Sequence, residues 1–353
     1  MNVNRIVEVQ NGDTLGALRD FLAGWWDQYG VDAMLAPCET PDGSSIATRL
    51  ITDKENLSGV NPFAPVMLSN AARTASQFLL EHPAERLIVL LRPCELRALG
   101  ELLNRHRDTR EATGAVLVGV DCLGTLPPEE YFRMIQRSSP QEVTREALRN
   151  ATTGGLRPQQ FRTACQLCDS PAPRGADLVI GTLGVETQQC LLFIARDEET
   201  ARRLGLATLI DIAASEYQVS HRETVAGAVS DLRTAVRKSR YADLKEASRI
   251  DDLGRLLAWF ARCDLCGKCL EACPVYEGEL DGFFGRTRSH PTQPPPLAGL
   301  AAVGRWLAAC SGCGICEQNC ERKVPLTPFL SALNHSIREE MGYVRGEAGF
   351  PFS

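Results

Sequence analysis

Eight of the fourteen cysteines in this 353-residue chain fall into two copies of one motif near the carboxyl end. The first copy, at 263–274, reads C-x2-C-x2-C-x3-C-P, and the second, at 310–320, reads C-x2-C-x2-C-x3-C. Three thiolates spaced in this way can wrap one 4Fe-4S cubane, because the backbone turns around the cluster and directs amides at its sulfides. The fourth cysteine of such a motif usually ligates the neighbouring cluster. The sequence therefore predicts two 4Fe-4S clusters in one crossed fold.

The crossed ligation divides the eight cysteines into two sets of four. One cluster is assigned to Cys263, Cys266, Cys269 and Cys320, and the other to Cys310, Cys313, Cys316 and Cys273. Zinc and free thiols are the alternatives. Structural zinc sites favour two C-x2-C pairs, so the repeated threefold motif is a poor match for tetrahedral zinc. We therefore expect both sets to bind cubanes.

Helical patterns precede both copies, at 252–260 and at Leu297–Ala309, and a Gly/Pro-rich loop is expected at 282–296 between them. This arrangement resembles the α-helical ferredoxin domains of fumarate reductase iron–sulfur subunits and heterodisulfide reductase C subunits. Pro274 fits that pattern. The second copy departs from it, because Glu321 follows Cys320 and the first proline is Pro325.

The first 220 residues have the pattern of an α/β domain with a largely parallel sheet. An amphipathic helix is predicted at Thr14–Tyr29. The predicted strands, which alternate with helical stretches, are 87–91, 115–120, 178–180 and 191–194. We expect three units: an α/β domain at 1–220, a solvated helical connector at 221–261, and a ferredoxin-like domain at 262–353.

Four further cysteines lie beside the predicted strand ends: Cys94, Cys122, Cys165 and Cys168. Parallel neighbouring strands would bring them to one sheet edge, where α/β folds place ligands. We predict a third 4Fe-4S cluster there, with Arg92 and Arg97 offsetting its negative charge. The alternative is that Cys94 and Cys122 are buried small residues while the C-x2-C pair binds zinc or nothing. Cys38 and Cys190 have no partners at ligand spacing and are expected in the core.

The order Arg92-Pro93-Cys94, Asp121-Cys122, then Cys165-x2-Cys168 before Ala176-Asp177 looks like the beta subunits of deazaflavin-dependent hydrogenases and formate dehydrogenases. It is also similar to the A subunit of anaerobic sulfite reductase and the beta subunit of sulfhydrogenase, which carry a carboxyl-terminal dicluster. The first resemblance implies FAD in the α/β domain, and the second implies electron relay with or without a flavin. In the first group the cluster motif typically precedes the catalytic domain, whereas the dicluster comes last in this chain, so the domain order favours the second resemblance. No GxGxxG follows a strand, and Gly124, Gly181 and Gly184 are read as turns rather than a phosphate cradle.

Charge and hydropathy exclude other classes of function. The net charge of −6 offers no basic surface for nucleic acid. No run of about eighteen apolar residues could span a bilayer, and the amino-terminal residues do not resemble a secretory signal, so we expect a cytoplasmic protein. The five histidines form no metal motif.

These patterns favour an iron–sulfur electron-transfer subunit of a multisubunit oxidoreductase. The expected partners are other redox subunits of the hydrogenase, formate dehydrogenase, flavoprotein or heterodisulfide reductase kind. One alternative is a subunit that holds FAD and itself oxidises or reduces a deazaflavin-type hydride carrier. The other is an iron–sulfur redox sensor, which two linked cubanes suit less well than a conducting path.

Overall fold

The computed structural model describes residues 2–83, 85–105, 114–154, 160–248, 258, 260–278, 280–281 and 297–343. Seven strands form one sheet in the order β1-β7-β6-β5-β4-β2-β3. They are β1 (Val3–Glu8), β2 (Ala33–Glu39), β3 (Ile46–Ile51), β4 (Leu87–Leu91), β5 (Val116–Val120), β6 (Leu178–Gly181) and β7 (Cys190–Ala195). Strands β2, β4, β5 and β6 are parallel, whereas β1, β3 and β7 pair antiparallel. The predicted α/β fold is confirmed, with antiparallel strands added at both edges.

The helices of the described residues surround this sheet and continue into the cysteine motifs. They are α1 (Thr14–Tyr29), α2 (Ala72–Glu81), α3 (Pro93–Arg105), α4 (Pro128–Ile135), α5 (Pro140–Arg149), α6 (Thr163–Gln166), α7 (Glu198–Arg203), α8 (Leu206–Leu209), α9 (Glu216–Ser248), α10 (Lys268–Glu271), α11 (Leu297–Ala309), α12 (Ile315–Gln318) and α13 (Leu326–Met341). No helix within this described part is long and apolar enough to cross a membrane.

The bounds of two predicted helices, α1 and α11, match the structure at both ends. The predicted connector corresponds to α9, which begins at Glu216 rather than near 222. The predicted loop at 282–296 lies outside the described residues, as does the predicted helix at 252–260 apart from residues 258 and 260. Helix α1 is well delimited, because the Asp13 carboxylate accepts the Gly16 amide at its start and Gly30 takes a left-handed conformation at its end.

The two faces of the sheet bury different partners. Successive side chains of a strand point to opposite faces, so Met34 and Ala36 of β2 pack in the core that holds α1, α5 and α9. Ala33 and Leu35 pack on the other face with α2 and α3. Three layers, helix on sheet on helix, therefore form the amino-terminal domain.

The cysteine motifs pack against the outer side of α2 and α3. Leu270 and Val275 of the first motif region belong to the same apolar core as those helices. Arg73 of α2 donates through Nη1 to the Glu271 carbonyl (3.0 Å) and through Nη2 to the Tyr276 carbonyl (2.7 Å). These contacts hold the first motif against α2.

Candidate metal centres

Four cysteines of the first predicted ligand set line one cavity of about 660 Å³. Cys263 and Cys266 are exposed, whereas Cys269 and Cys320 are half-buried. The Cys320 thiol comes from the second motif and accepts the Val324 amide at 3.4 Å. A space of this size, lined by sulfur donors, fits an iron–sulfur cluster. We call these four residues the exposed set.

The other four motif cysteines, Cys273, Cys310, Cys313 and Cys316, form the middle set. Burial raises the pKa of Cys273 to about 12, and the neighbouring thiols of Cys313 and Cys310 add to this effect. Burial also raises the pKa of Cys316 well above its ordinary value, again with Cys310 and Cys313 as close neighbours. The structure thus groups Cys273 with the second motif and Cys320 with the first. This is the arrangement that crossed ligation requires, although ligation itself stays a prediction.

A glycine begins the short helix inside each motif. Gly267 precedes α10 and Gly314 precedes α12, both with positive φ angles (84° and 70°). Such a residue lets the backbone turn tightly around a cluster. Both glycines follow the second cysteine of their motif, so this shared C-G step was a signal in the sequence that our reading did not use.

The four amino-terminal cysteines also come together, and we call them the inner set. Cys94 lies in the first turn of α3, which follows β4, and Cys122 lies just after β5. Strands β4 and β5 are parallel neighbours in the sheet. Burial raises the pKa of Cys94, and the nearby Cys122 thiol adds to this effect. Burial also raises the pKa of Cys122, with the nearby Cys165 and Cys168 thiols adding to it. The predicted convergence at one sheet edge is therefore present in the structure.

Arginines surround the inner set. Arg97 donates to the Cys168 sulfur at 4.0 Å, and Arg162 donates to the Thr125 hydroxyl at 2.7 Å, which in turn lies 3.1 Å from the Cys165 sulfur. Burial by itself would raise the pKa of Cys165, but Arg162, the Thr125 hydroxyl and Arg233 together lower it. Positive charge and the Thr125 hydroxyl thus favour the thiolate at Cys165, and the thiolate is the form that binds iron.

Two of these arginines were missed from the sequence. Arg162 lies three residues before Cys165, and Arg233 reaches the site from α9, where it is 2% exposed and donates to the Cys122 carbonyl at 3.4 Å. The Arg233 guanidinium also stacks 5.2 Å from the centre of the Phe161 ring. Arg233 is far along the chain from the inner-set cysteines, so no local sequence pattern links it to them. It also lies on a helix rich in exposed charged residues, which gives no sign that this one arginine is buried.

Asp121, which precedes Cys122, has a structural role. Its carboxylate is buried and accepts the amides of Thr182 (3.0 Å) and Leu183 (3.2 Å), together with the Arg222 guanidinium of α9. These bonds fix the strand end that carries Cys122. The Asp-Cys element therefore positions a thiol rather than supplying an acid or base.

The inner and middle sets touch. Cys94 packs against the apolar cluster formed by Cys313, Met67 and Ile315. Arg97 bridges the two sets, since its guanidinium also donates to the Ser311 carbonyl at 3.2 Å. A Cβ atom on Gly314 would lie 2.3 Å from the Cβ of Ala164, beside Cys165, so the backbones approach as closely as glycine allows.

The middle and exposed sets are also adjacent. Cys316 of the middle set lines the cavity of the exposed set, and Cys269 is among its close thiol neighbours. The order of contact is therefore inner, middle, exposed.

The remaining candidates do not add a site. Gly124 and Gly184 have positive φ angles and lie against Phe161 and Val225 of this chain. The expectation of a turn is wrong for Gly181, which is the last residue of β6, pairs with Leu192 and lies against Arg222. Cys38 and Cys190 are buried as expected, and burial raises the pKa of Cys38 to about 11. In the described part of the chain, no group of three His, Cys, Asp or Glu side chains is arranged to hold a single metal ion. A 4Fe-4S cubane is a different kind of site, because four cysteines bind a core of several irons.

Two family models match the chain. Residues 84–208 match the C terminus of the beta subunit of coenzyme F420 hydrogenase/dehydrogenase, and residues 259–324 match a 4Fe-4S dicluster domain. The first model spans every cysteine of the inner set, and the second spans both motifs. These matches support the resemblance to the beta subunits of deazaflavin-dependent hydrogenases and formate dehydrogenases.

Curated relatives extend over nearly the whole chain. The beta subunit of an F420-dependent formate dehydrogenase from Methanocaldococcus jannaschii is 22% identical over 91% of this chain and 88% of the relative. The beta subunit of F420-dependent formate dehydrogenase 1 from Methanococcus maripaludis is 23% identical over 96% of this chain and 92% of the relative.

A solved structure, the F420-reducing [NiFe] hydrogenase complex from Methanosarcina barkeri in its xenon derivative, is 9% identical with a TM-score of 0.47. The match covers 71% of this chain and 94% of the chain in that complex. The two family matches confirm the predicted iron–sulfur electron-transfer subunit of an oxidoreductase. Residues 84–208 are thus similar to the C terminus of the coenzyme F420 hydrogenase/dehydrogenase beta subunit, and residues 259–324 are similar to a 4Fe-4S dicluster domain.

Proposed function

We propose that this chain is the beta subunit of a cytoplasmic F420-dependent formate dehydrogenase or hydrogenase complex. In this role it relays electrons between a hydride carrier at the α/β domain and a second redox subunit at the dicluster domain. The relatives' names supply the carrier and the complex, and the succession of three adjoining thiol sets is the observation that carries the relay.

The proposal includes a cubane at each set. The exposed set (Cys263, Cys266, Cys269, Cys320) and the middle set (Cys310, Cys313, Cys316, Cys273) would hold the dicluster, and the inner set (Cys94, Cys122, Cys165, Cys168) a third cluster. Two observations support the third cluster: the four thiols lie close together, and four arginines interact with them electrostatically, namely Arg92, Arg97, Arg162 and Arg233. The arginines would offset the negative charge that a buried cluster brings.

The α/β domain would also hold FAD. A hydride carrier delivers two electrons together, whereas an iron–sulfur cluster takes them singly, and a flavin can exchange both ways. The α/β domain contains the inner set, which lies at the end of the relay remote from the exposed set. A flavin absorption spectrum of the purified chain tests this; a colourless 450 nm region after cluster removal would contradict it.

We further propose the division into an α/β domain at 1–220, a connector at 221–261 and an α-helical ferredoxin-like domain at 262–353. Every regular element described between 262 and 343 is a helix, which supports the helical assignment. The connector would do more than link, because Arg222, Arg233 and Arg237 of α9 all contact the region of the inner set.

Iron analysis of anaerobically reconstituted protein tests the three-cluster relay. Three cubanes give about twelve irons per chain, and the dicluster alone gives about eight. Replacement of Cys122 with Ala should lower the count from about twelve to about eight, because the inner cluster loses a ligand. Cys190→Ala is the matched control, since that thiol is buried in the same domain but lies outside all three sets. A count near eight that Cys122→Ala leaves unchanged would rule out the inner cluster while leaving the dicluster intact.

A further inference from the structure

Trp306 lies between the middle and exposed sets. It belongs to α11, which leads directly into the second motif. Its indole Nε1 donates to the Cys273 sulfur at 3.4 Å, while the side chain also lines the cavity of the exposed set. The residue therefore contacts one predicted cluster ligand and borders the space of the other cluster.

Cys273 is the ligand for which such a donor matters. It is 7% exposed and packs in the apolar core with α2 and α3. Burial disfavours added negative charge, so a cluster held here is harder to reduce than one in water. The exposed set does not carry this penalty to the same degree, because Cys263 and Cys266 reach solvent.

Hydrogen bonds to ligand sulfur act in the opposite direction. They disperse the negative charge that builds up on reduction and so raise the potential of an iron–sulfur cluster. The Val275 amide also bonds to the Cys273 sulfur, but a backbone donor is present whatever the side chain. The indole N–H is the donor that the choice of residue 306 supplies.

We propose that Trp306 is a positioning residue that raises the reduction potential of the middle cluster through its N–H···S bond to Cys273. This rests on the proposed function, in which the middle cluster passes single electrons between the inner and exposed clusters. With the indole in place, the buried middle cluster stays close in potential to the exposed one. Without it, the middle cluster becomes a barrier in the path.

The test is Trp306→Phe in the anaerobic full-length chain, with redox titration followed by EPR. Phenylalanine keeps an aromatic side chain but lacks the N–H donor, so the midpoint potential of the middle cluster should become more negative. The exposed cluster is the internal control and should not shift. The two signals are assigned beforehand from Cys313→Ser and Cys266→Ser. Full iron content with an unmoved middle potential would overturn the proposal.

A second measurement, on wild-type protein, tests the proposal in case the Trp306→Phe variant does not bind the middle cluster. In wild-type protein labelled with ¹⁵N in the tryptophan indole, pulsed EPR should detect a nitrogen coupling to the reduced middle cluster. Absence of that coupling contradicts the proposal even if Trp306→Phe cannot be loaded. Failure of the proposed function gives a different result, because wild-type protein would then lack the second cubane signal altogether.

Discussion

The exposed and inner sets lie at the two ends of the series. Each contains four cysteine thiols, but the two sets differ in what surrounds them. Two cysteines of the exposed set reach solvent, and the side chains around them form ion pairs with each other, as Arg322 does with Asp264 (2.8 Å). The inner set has no exposed cysteine, and Arg97 and Arg162 direct their charge at its sulfurs. Water reaches a cluster at the first site through the two exposed cysteines, whereas charged groups of the protein contribute more of the compensation at the second.

The largest consequence concerns access. We expect a chelator, or controlled exposure to oxygen, to remove about four irons from the exposed set before the remaining clusters are lost. Cys263 and Cys266 are open to reagents, whereas the inner set lies beneath α3, α9 and the second motif. Iron release followed in time, with EPR to assign the surviving clusters, measures this order. Simultaneous loss of all iron would mean that the difference in burial has no effect on cluster lability.

The second consequence concerns charge at the inner set. Arg162→Gln should reduce assembly of the inner cluster and lower the iron count toward about eight, because Cys165 loses the cation that most favours its thiolate. The Thr125 hydroxyl would remain but without its guanidinium partner. Iron analysis after anaerobic reconstitution measures the loss. An unchanged count of about twelve would show that the remaining arginines suffice.

The third prediction concerns the junction between the inner and middle sets. Gly314→Ala places a methyl group against Ala164 and forces a non-glycine residue to φ +70°, at a combined cost of about 2–4 kcal/mol. The apparent melting temperature at a fixed scan rate should therefore fall. Gly304→Ala in α11 is the matched control, since nothing lies within 4 Å of its added Cβ and alanine favours the helix. Equal melting temperatures for the two variants would contradict the close approach.

The features of this architecture that depend on nearby residues could be predicted from the sequence. Periodicity located α1 at both ends, and motif spacing anticipated that Cys320 joins the first motif and Cys273 the second. Strands β1, β2 and β3 were not predicted. Strands β1 and β3 have mixed burial at the edges of the sheet, so each lacks the continuous apolar run that marked β4. Strand β2 is buried along nearly its whole length, but it has no β-branched or aromatic residue and contains Pro37, so its composition is not that of a typical strand.

Long-range contacts could not be predicted in the same way. Arg233 is a charged residue on a helix rich in charge, and only the packing of α9 on the sheet brings it to Cys122. Trp306 likewise looks like an ordinary apolar residue of α11 until the fold sets its indole against Cys273. Convergence of the inner set was inferred from general rules for parallel sheets, because β4 and β5 are neighbours along the chain as well as in space.

The smallest expected effect is at the exposed set and completes the comparison with Arg162. Arg322→Gln removes a guanidinium beside the cavity of Cys263 and Cys266, just as Arg162→Gln removes one beside the inner set. Asp264 and solvent already surround that charge, and exposed ion pairs contribute little to stability. We therefore expect an unchanged iron count and an unchanged melting temperature, measured beside Arg162→Gln under the same reconstitution. Loss of about four irons in Arg322→Gln would mean that the exposed cluster also depends on protein charge, and the contrast between the two ends of the relay would then be wrong.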